Sequence, residues 1–405
     1  MTPEQRTRLR RYAALLCLGL SAGLYVAQNS PPISFGWWLP RLIARELALL
    51  TVLLALGTAW LSVRAFQSRI ARGVCVAMAL LYGFGASLPL FGVLPLFSRL
   101  GLRFSITEYV FSVSRPSGIR EEHDVVLASD RPELRVDVYR PAQPPAIPSP
   151  GVVVLHGGSF QFGDKGDVPQ VSRALAAAGF AVFDLRYRLA PQHPFPAAVQ
   201  DVLCAVGRLA EPAARERFFV DGKRIALLGR SAGGTLALTA AYAAAAQAAV
   251  PSGQAGLPAL RAGCAVIDVV PKAVVGIYPW TDLRTAHDQP PSLDPLNNPA
   301  TMRAYLGGTP AQLPGPYAHA SPLFYAGLSG LPGGTLPPTL LIHGEGDAMV
   351  PSAHSERLAD ALRRAGYTPQ TLFIPLAEHG FDFRPGGAGE QLERALVLRF
   401  LQSAL

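Results

Sequence analysis

The chain has 405 residues, with 36 Lys and Arg against 28 Asp and Glu for a net charge of +8, yet only 16% of it is charged and 50% is hydrophobic. The basic excess is not spread evenly: residues 1–104 hold 11 Arg and no Lys against Glu4 and Glu46, which leaves 25 basic and 26 acidic side chains for the remainder. That remainder is close to neutral and lacks the basic face a nucleic-acid partner requires, so no nucleic-acid role is expected.

Residues 1–104 read as a membrane region. Charge-free stretches run from Tyr12 to Pro40, Leu47 to Val63 and Gly73 to Ser98. A helix needs about 17 to 25 apolar residues to cross a bilayer, and about three membrane helices are expected, over Tyr12 to Gln28, Leu47 to Val63 and Val74 to Leu94. Pro89 is expected to kink or end the third. Residues 1–28 also have the build of a secretory signal, a reading that the two further apolar segments displace. Arg6, Arg8, Arg10, Arg11, Arg64, Arg69 and Arg72 would share one side, opposite Arg41, Arg45, Arg99 and Arg103. The positive-inside rule puts the larger set in the cytoplasm and, after three crossings, the rest of the chain on the extracytoplasmic, periplasmic side. Phe35, Trp37 and Trp38 are expected in the outer membrane interface, or alternatively in a packed loop. Leu100 to Val113 would lie on the bilayer as a cap or form an ordinary surface connection.

Residues 105–405 suit one large α/β domain. Strands are expected at Leu134–Tyr139, Val152–Leu155, Ala181–Asp184, Ile225–Leu228, Ala273–Tyr278, Thr339–Ile342 and Thr371–Ile374. Their alternation with helical stretches predicts a mostly parallel sheet with helices on both faces. The strand at Gly151–Leu155 runs into His156-Gly157-Gly158-Ser159-Phe160. A Gly-rich loop of this kind can offer main-chain N–H groups to a tetrahedral oxyanion without side chains in the way. Next comes Tyr187 to Ala198, where Pro191, Pro194 and Pro196 fix the exit from a strand and Asp201 is expected to cap or pair rather than react.

Arg224-Ile225-Ala226-Leu227-Leu228, then Gly229-Arg230-Ser231-Ala232-Gly233-Gly234, then an Ala-rich run make a strand, a G-x-S-x-G turn and a helix. That is the pattern of a nucleophile elbow, with strained backbone angles at Ser231 and small residues where strand and helix nearly collide. Leu283 to Pro338, dense in Pro and Gly, is a long excursion that would either shape a pocket or serve as plain surface connection. Downstream, Thr339 to Ile342 opens into His343-Gly344-Glu345-Gly346-Asp347, and Gln370 to Pro375 leads into Glu378-His379-Gly380. The order Ser231, Asp347, His379 is the one used by α/β-hydrolases. In these roles Ser231 is the nucleophile, His379 its base and then acid, and Asp347 holds the imidazole tautomer, with Glu345 the rival acid. His343 is expected to be a structural residue at a strand end, and His193, His287, His319 and His354 ordinary loop or helix residues.

Five of these motifs, in this order, resemble the esterase and lipase branch related to hormone-sensitive lipase and to the small bacterial feruloyl and acetyl esterases. They are His156-Gly157-Gly158, Tyr187 to Ala198, Gly229 to Gly234, His343-Gly344-x-x-Asp347 and Glu378-His379-Gly380, and the resemblance covers roughly residues 120–400. It implies an α/β-hydrolase fold and carboxylic-ester hydrolysis. It also implies a triad at Ser231, Asp347 and His379 and an oxyanion hole from the N–H groups of Gly157, Gly158 and Ala232. Many relatives carry a third Gly where this chain has Ser159 and Trp where it has Phe160, so a donor at Ser159 depends on backbone angles that suit a residue with a Cβ.

The expected substrate is a small-molecule or lipid ester. An amidase or acyltransferase would use the same triad, and methyl esters of membrane-bound prenylated cysteines are a further substrate suggested by eukaryotic enzymes of similar build. A silent binding protein of this fold is the reading from another class, set against the presence of all three triad candidates. No spacing of His, Cys or acids suggests a metal, and no Gly-rich nucleotide motif suggests a cofactor, so neither is expected. Cys204 and Cys264 would allow one disulfide in an exported domain.

Overall fold

The computed structural model describes all residues except 32–33, 113–115, 251–256, 258–259, 261–268 and 330. The possible Cys204–Cys264 pairing involves Cys264, which lies outside the described residues.

The N-terminal region is helical: α1 (Pro3–Asn29), α2 (Phe35–Glu46), α3 (Ala48–Ala65), α4 (Arg69–Arg99) and α5 (Ile106–Phe111). Among the described residues α1, α3 and α4 are long and apolar enough to cross a membrane. Pro89 neither ends nor breaks α4, which runs through Pro89 and Pro95 to Arg99. Proline has no N–H to give the carbonyl four residues back. Here that carbonyl belongs to Gly85, and Nε2 of the buried Gln28 on α1 donates to it at 2.8 Å. At 31 residues α4 also exceeds what a bilayer of about 30 Å needs. In its last turns Val93, Leu96 and Phe97 pack into the core of the following domain.

That domain is built on eight strands: β1 (Ile119–Ala128), β2 (Arg131–Pro141), β3 (Ser149–Leu155), β4 (Ala181–Leu185), β5 (Val220–Arg230), β6 (Ala273–Ile277), β7 (Thr339–Gly344) and β8 (Gln370–Ile374). They form one sheet in the order β1-β2-β4-β3-β5-β6-β7-β8. β2 pairs antiparallel with β1 and β4, and the pairs from β4 through β3, β5, β6 and β7 to β8 are parallel. The helices are α6 (Pro169–Ala177), α7 (Ala197–Leu209), α8 (Pro212–Phe218), α9 (Ala232–Ala249), α10 (Leu283–Asp288), α11 (Asn298–Leu306), α12 (Pro314–His319), α13 (Pro322–Ala326), α14 (Ala353–Arg364) and α15 (Ala388–Ala404).

Side chains alternate across a strand, and here both faces are covered. In β3, Val153 and Leu155 enter one core with α7 and α9, while Val152 and Val154 enter another with α6 and α15. β1 was not expected: its polar residues leave it largely half-exposed at the sheet edge, with no apolar alternation to reveal it. The described part of the expected cap, residues 100–112, is docked through α5. Tyr109 on α5 is buried and donates to Glu46 O at 2.9 Å, while Ile106, Val110 and Phe111 stay exposed.

Candidate active site

β5 and α9 meet at Ser231, which takes φ 52° and ψ −121°. Left-handed φ strains a residue with a Cβ, and the crowding at the turn leaves little alternative. A Cβ on Gly229 would lie 2.1 Å from Gly233 O, and one on Gly233 would lie 2.3 Å from both Leu155 O and His156 O. The elbow is thereby wedged against the end of β3, and Ser231 N–H donates to Ile277 O of β6 at 2.9 Å.

The loops after β7 and β8 bring the other two expected residues to it. His379 Nε2 lies 3.0 Å from Ser231 Oγ, and His379 Nδ1 lies 2.7 Å from Asp347 Oδ2. The second oxygen of Asp347 accepts from Met349 N–H at 2.9 Å and Val350 N–H at 2.8 Å. Burial alone would raise the Asp347 carboxyl. The charge of the facing His379, with hydrogen bonds from His343 and His379, overrides this and holds it well below the usual carboxylate range. Glu345, the rival acid, is exposed. His343 is buried with Nδ1 2.7 Å from Ser355 Oγ and Nε2 2.9 Å from Val350 O, so it braces the Asp347 loop. His354 is also buried, its pKa lowered by burial to about 3.

The Gly-rich loop faces Ser231 from the other side. A Cβ on Gly157 would sit 3.5 Å from Ser231 Cβ, and Gly157, Gly158 and Ser159 line the same cavity as Ser231 and His379. Ala232 opens α9, where the first N–H groups have no intrahelical partner. Gly158 has φ 111°, and a Cβ there would lie 2.1 Å from Phe162 O. Ser159 and Phe160 follow at φ 55° and 63°. The loop holds this shape because Phe160 stacks on Tyr305 at 3.8 Å, and because the His156 ring stacks on Tyr187 at 4.2 Å while Tyr187 Oη donates to His156 O at 2.8 Å. The Tyr187–Ala198 run thus supports the loop from behind. Asp201 pairs with Arg188 at 2.8 Å, in the structural role expected of it.

Two parts of the site were not anticipated. First, residues 1–104 reach into it. Trp38, expected in a membrane-interface belt or a packed loop, is 5% exposed, lies edge-on 6.5 Å from the His379 ring and lines the cavity with Phe35. From the same helix, Arg41 Nε lies 2.6 Å and Arg45 Nη1 3.8 Å from Glu378 Oε2. Glu378 Oε1 accepts from Ala348 N–H at 2.7 Å and His379 N–H at 3.2 Å. Second, Arg230, the variable residue of the elbow motif, is buried against Asp382 and lies 2.6 Å from Glu393, while Tyr278 Oη donates to Asp382 at 2.5 Å. A buried Arg in mid-motif signals that acids must converge on it, although not which ones.

The cavity measures about 170 Å³ and is walled mainly by Phe35, Trp38, Tyr278, Leu296, Met349 and Phe383 around Ser231. Leu296 comes from the 283–338 excursion. An aligned hydroxyl, imidazole and carboxylate beside a Gly-rich loop in an apolar recess can carry out acyl transfer. Among the described residues no group of His, Cys and acids is arranged to hold a metal ion.

Residues 136–362 match the family described as BD-FAE. Esterase LipC of Mycobacterium tuberculosis is 30% identical over 282 residues, which cover 67% of this chain and 63% of LipC. Ethyl acetate hydrolase of Pseudomonas putida is 31% identical over 273 residues, covering 65% of this chain and 76% of that protein. A solved esterase of Pyrobaculum calidifontis has 28% identity and a TM-score of 0.55, covering 73% of this chain and 88% of the other. The chain spans 63% of the length of LipC and 55% of that of esterase LipQ from the same organism.

Proposed function

The chain belongs to the BD-FAE family of α/β-hydrolase esterases, and on that premise we propose that it is a membrane-anchored serine hydrolase that cleaves carboxylic esters through an acyl-enzyme on Ser231. The observation that carries this reading is the unbroken relay from Ser231 Oγ through His379 to Asp347, at 3.0 and 2.7 Å. In the first step Ser231 Oγ attacks the acyl carbon as its proton passes to His379 Nε2. The negative oxygen of the tetrahedral intermediate is met by the N–H groups of Gly157, Gly158 and Ala232. The carbon–oxygen bond to the alcohol then breaks, and His379 returns the proton to the leaving oxygen. Water repeats the sequence on the acyl-enzyme and releases the acid.

Asp347 keeps Nδ1–H toward itself and Nε2 toward the serine, and it stabilises the imidazolium when it forms. The names of LipC and ethyl acetate hydrolase support ester substrates, and the small cavity supports a short acyl group.

The region 1–104 serves as anchor, through α1, α3 and α4. The Arg distribution supports an extracytoplasmic catalytic domain, since Arg6, Arg8, Arg10, Arg11, Arg64, Arg69 and Arg72 outnumber Arg41, Arg45, Arg99 and Arg103. Contact of α2 with the domain supports α3 and α4 as a pair of crossings, which returns the chain to the side of α2, while the choice of side rests on the arginines.

Two measurements test this. Ser231→Ala is expected to lower kcat on a soluble butyrate ester by about 10³-fold or more while the protein stays folded. A membrane-impermeant fluorophosphonate added to intact spheroplasts is expected to label Ser231. Full activity in Ser231→Ala overturns the mechanism, and labelling only after lysis overturns the orientation.

A further inference from the structure

The short helix α2 is apolar on both sides and turns its two arginines inward. Trp38, Arg41, Leu42 and Arg45 face the catalytic domain, whereas Phe35, Leu39 and Ile43, one helical turn apart, are 54%, 50% and 46% exposed. A helix in water hides its apolar stripe and shows its charges. One that shows the stripe is shaped to rest on a lipid surface. Its position in the chain points the same way, because α1 ends at Asn29 and α3 begins at Ala48, and both are long and apolar enough to cross a bilayer. α2 is tied to the interface at both ends.

The same helix walls the cavity. Phe35 belongs both to the outward stripe and to the lining, and Phe383, 41% exposed, lines the cavity from the catalytic domain. The space around Ser231, about 170 Å³, holds roughly six water-sized or methylene-sized groups at about 30 Å³ each. A long hydrocarbon chain does not fit inside, whereas a short acyl group does.

We propose that α2 lies on the bilayer and that the substrate is a short-chain acyl ester of a membrane-resident alcohol. The ester group reaches Ser231 past Phe35 and Phe383 while the long chain of the alcohol stays in the lipid. This rests on the hydrolase reading above and goes beyond it by naming the substrate class and its route.

The test compares two esters that form the same acyl-enzyme and differ only in the alcohol. Full-length protein in phosphatidylcholine and phosphatidylglycerol vesicles is given hexadecyl butyrate in the bilayer or ethyl butyrate in water, and butyrate release is titrated. Leu39→Glu with Ile43→Glu places charge on the outward stripe without touching the catalytic groups. It is expected to lower hexadecyl butyrate hydrolysis about tenfold and to leave ethyl butyrate within about twofold, with Leu39→Ile and Ile43→Leu behaving as wild type. Parallel loss on both esters, an unchanged rate on the hexadecyl ester, or a wild-type protein that cleaves only ethyl butyrate overturns the proposal and leaves the hydrolase reading intact. A wild-type protein that cleaves neither ester and is not labelled at Ser231 overturns the hydrolase reading itself.

Discussion

One oxygen of Glu378 accepts the main-chain N–H groups of Ala348 and His379, and the other faces Arg41 and Arg45. Ala348 follows Asp347 and His379 follows Glu378, so a single carboxylate clips together the two loops that carry Asp347 and His379. Burial, and then the nearby Asp347 charge, push the Glu378 carboxyl up, and the arginines oppose this. Breaking such a buried set from one side costs about 3 kcal/mol or more, because the remaining charges keep their desolvation cost without a partner. Glu378→Ala is therefore expected to lower the unfolding free energy by about that amount. It should also reduce kcat more than it raises KM, since the loss is in how His379 is held. Steady-state kinetics beside chemical denaturation checks both. This role could not be read from the sequence, where Glu378 is simply the neighbour of a motif histidine. Ser231, Asp347 and His379 were legible because each sits at the exit of an apolar strand in a local pattern, whereas Trp38, Arg41 and Arg45 reach the site only through tertiary packing.

At the scale of elements, the strands were legible where both faces are buried, as in β3 and β5, and illegible where one edge is wet, as in β1. Pro89 shows the limit of local rules in helices. It reads as a break, but the neighbouring helix supplies the missing donor through Gln28. Removing that donor leaves Gly85 O unsatisfied in an apolar setting, and membrane interhelical hydrogen bonds contribute about 0.6 to 2 kcal/mol. Gln28→Leu is expected to destabilise the α1–α4 pair by that amount, seen as a lower thermal midpoint in detergent.

A second element-scale effect concerns β4, where burial raises the Asp184 carboxyl to about 7 and the hydrogen bond from Gly166 N–H only partly opposes it. The folded pKa exceeds the unfolded value of about 4, so the native state holds the proton more tightly. The contribution of Asp184 to stability is then greatest below pH 4, falls as pH rises from about 4 to 7, and levels off above, by up to roughly 4 kcal/mol at 1.36 kcal/mol per unit. Asp184→Asn keeps an acceptor for Gly166 and removes this slope. The variant should match the wild type at pH 4 and melt at a higher temperature at pH 8.

Across the whole molecule, the N-terminal helices and the sheet domain are not separable at residue 104. The last turns of α4 lie in the core with α15, α5 is pinned to Glu46 through Tyr109, and α2 closes one wall over His379. Deleting residues 1–104 is expected to lower kcat/KM on ethyl butyrate by more than about tenfold and to lower the melting temperature as well. An independent anchor would leave both unchanged. Apolar stretches made α1, α3 and α4 legible as helices long and apolar enough to cross a membrane, but arginine counts treat Arg41 and Arg45 only as topological signals, and no one-dimensional pattern says that those two charges face a glutamate more than 300 positions away.

The inward turn of α2 has a practical outcome for anyone seeking a convenient water-soluble form of the protein. A truncated protein would present a different site, with its histidine open to solvent and one side of its recess missing. Inhibitors ranked on such a surrogate would be selected against a binding cleft that the intact protein never presents.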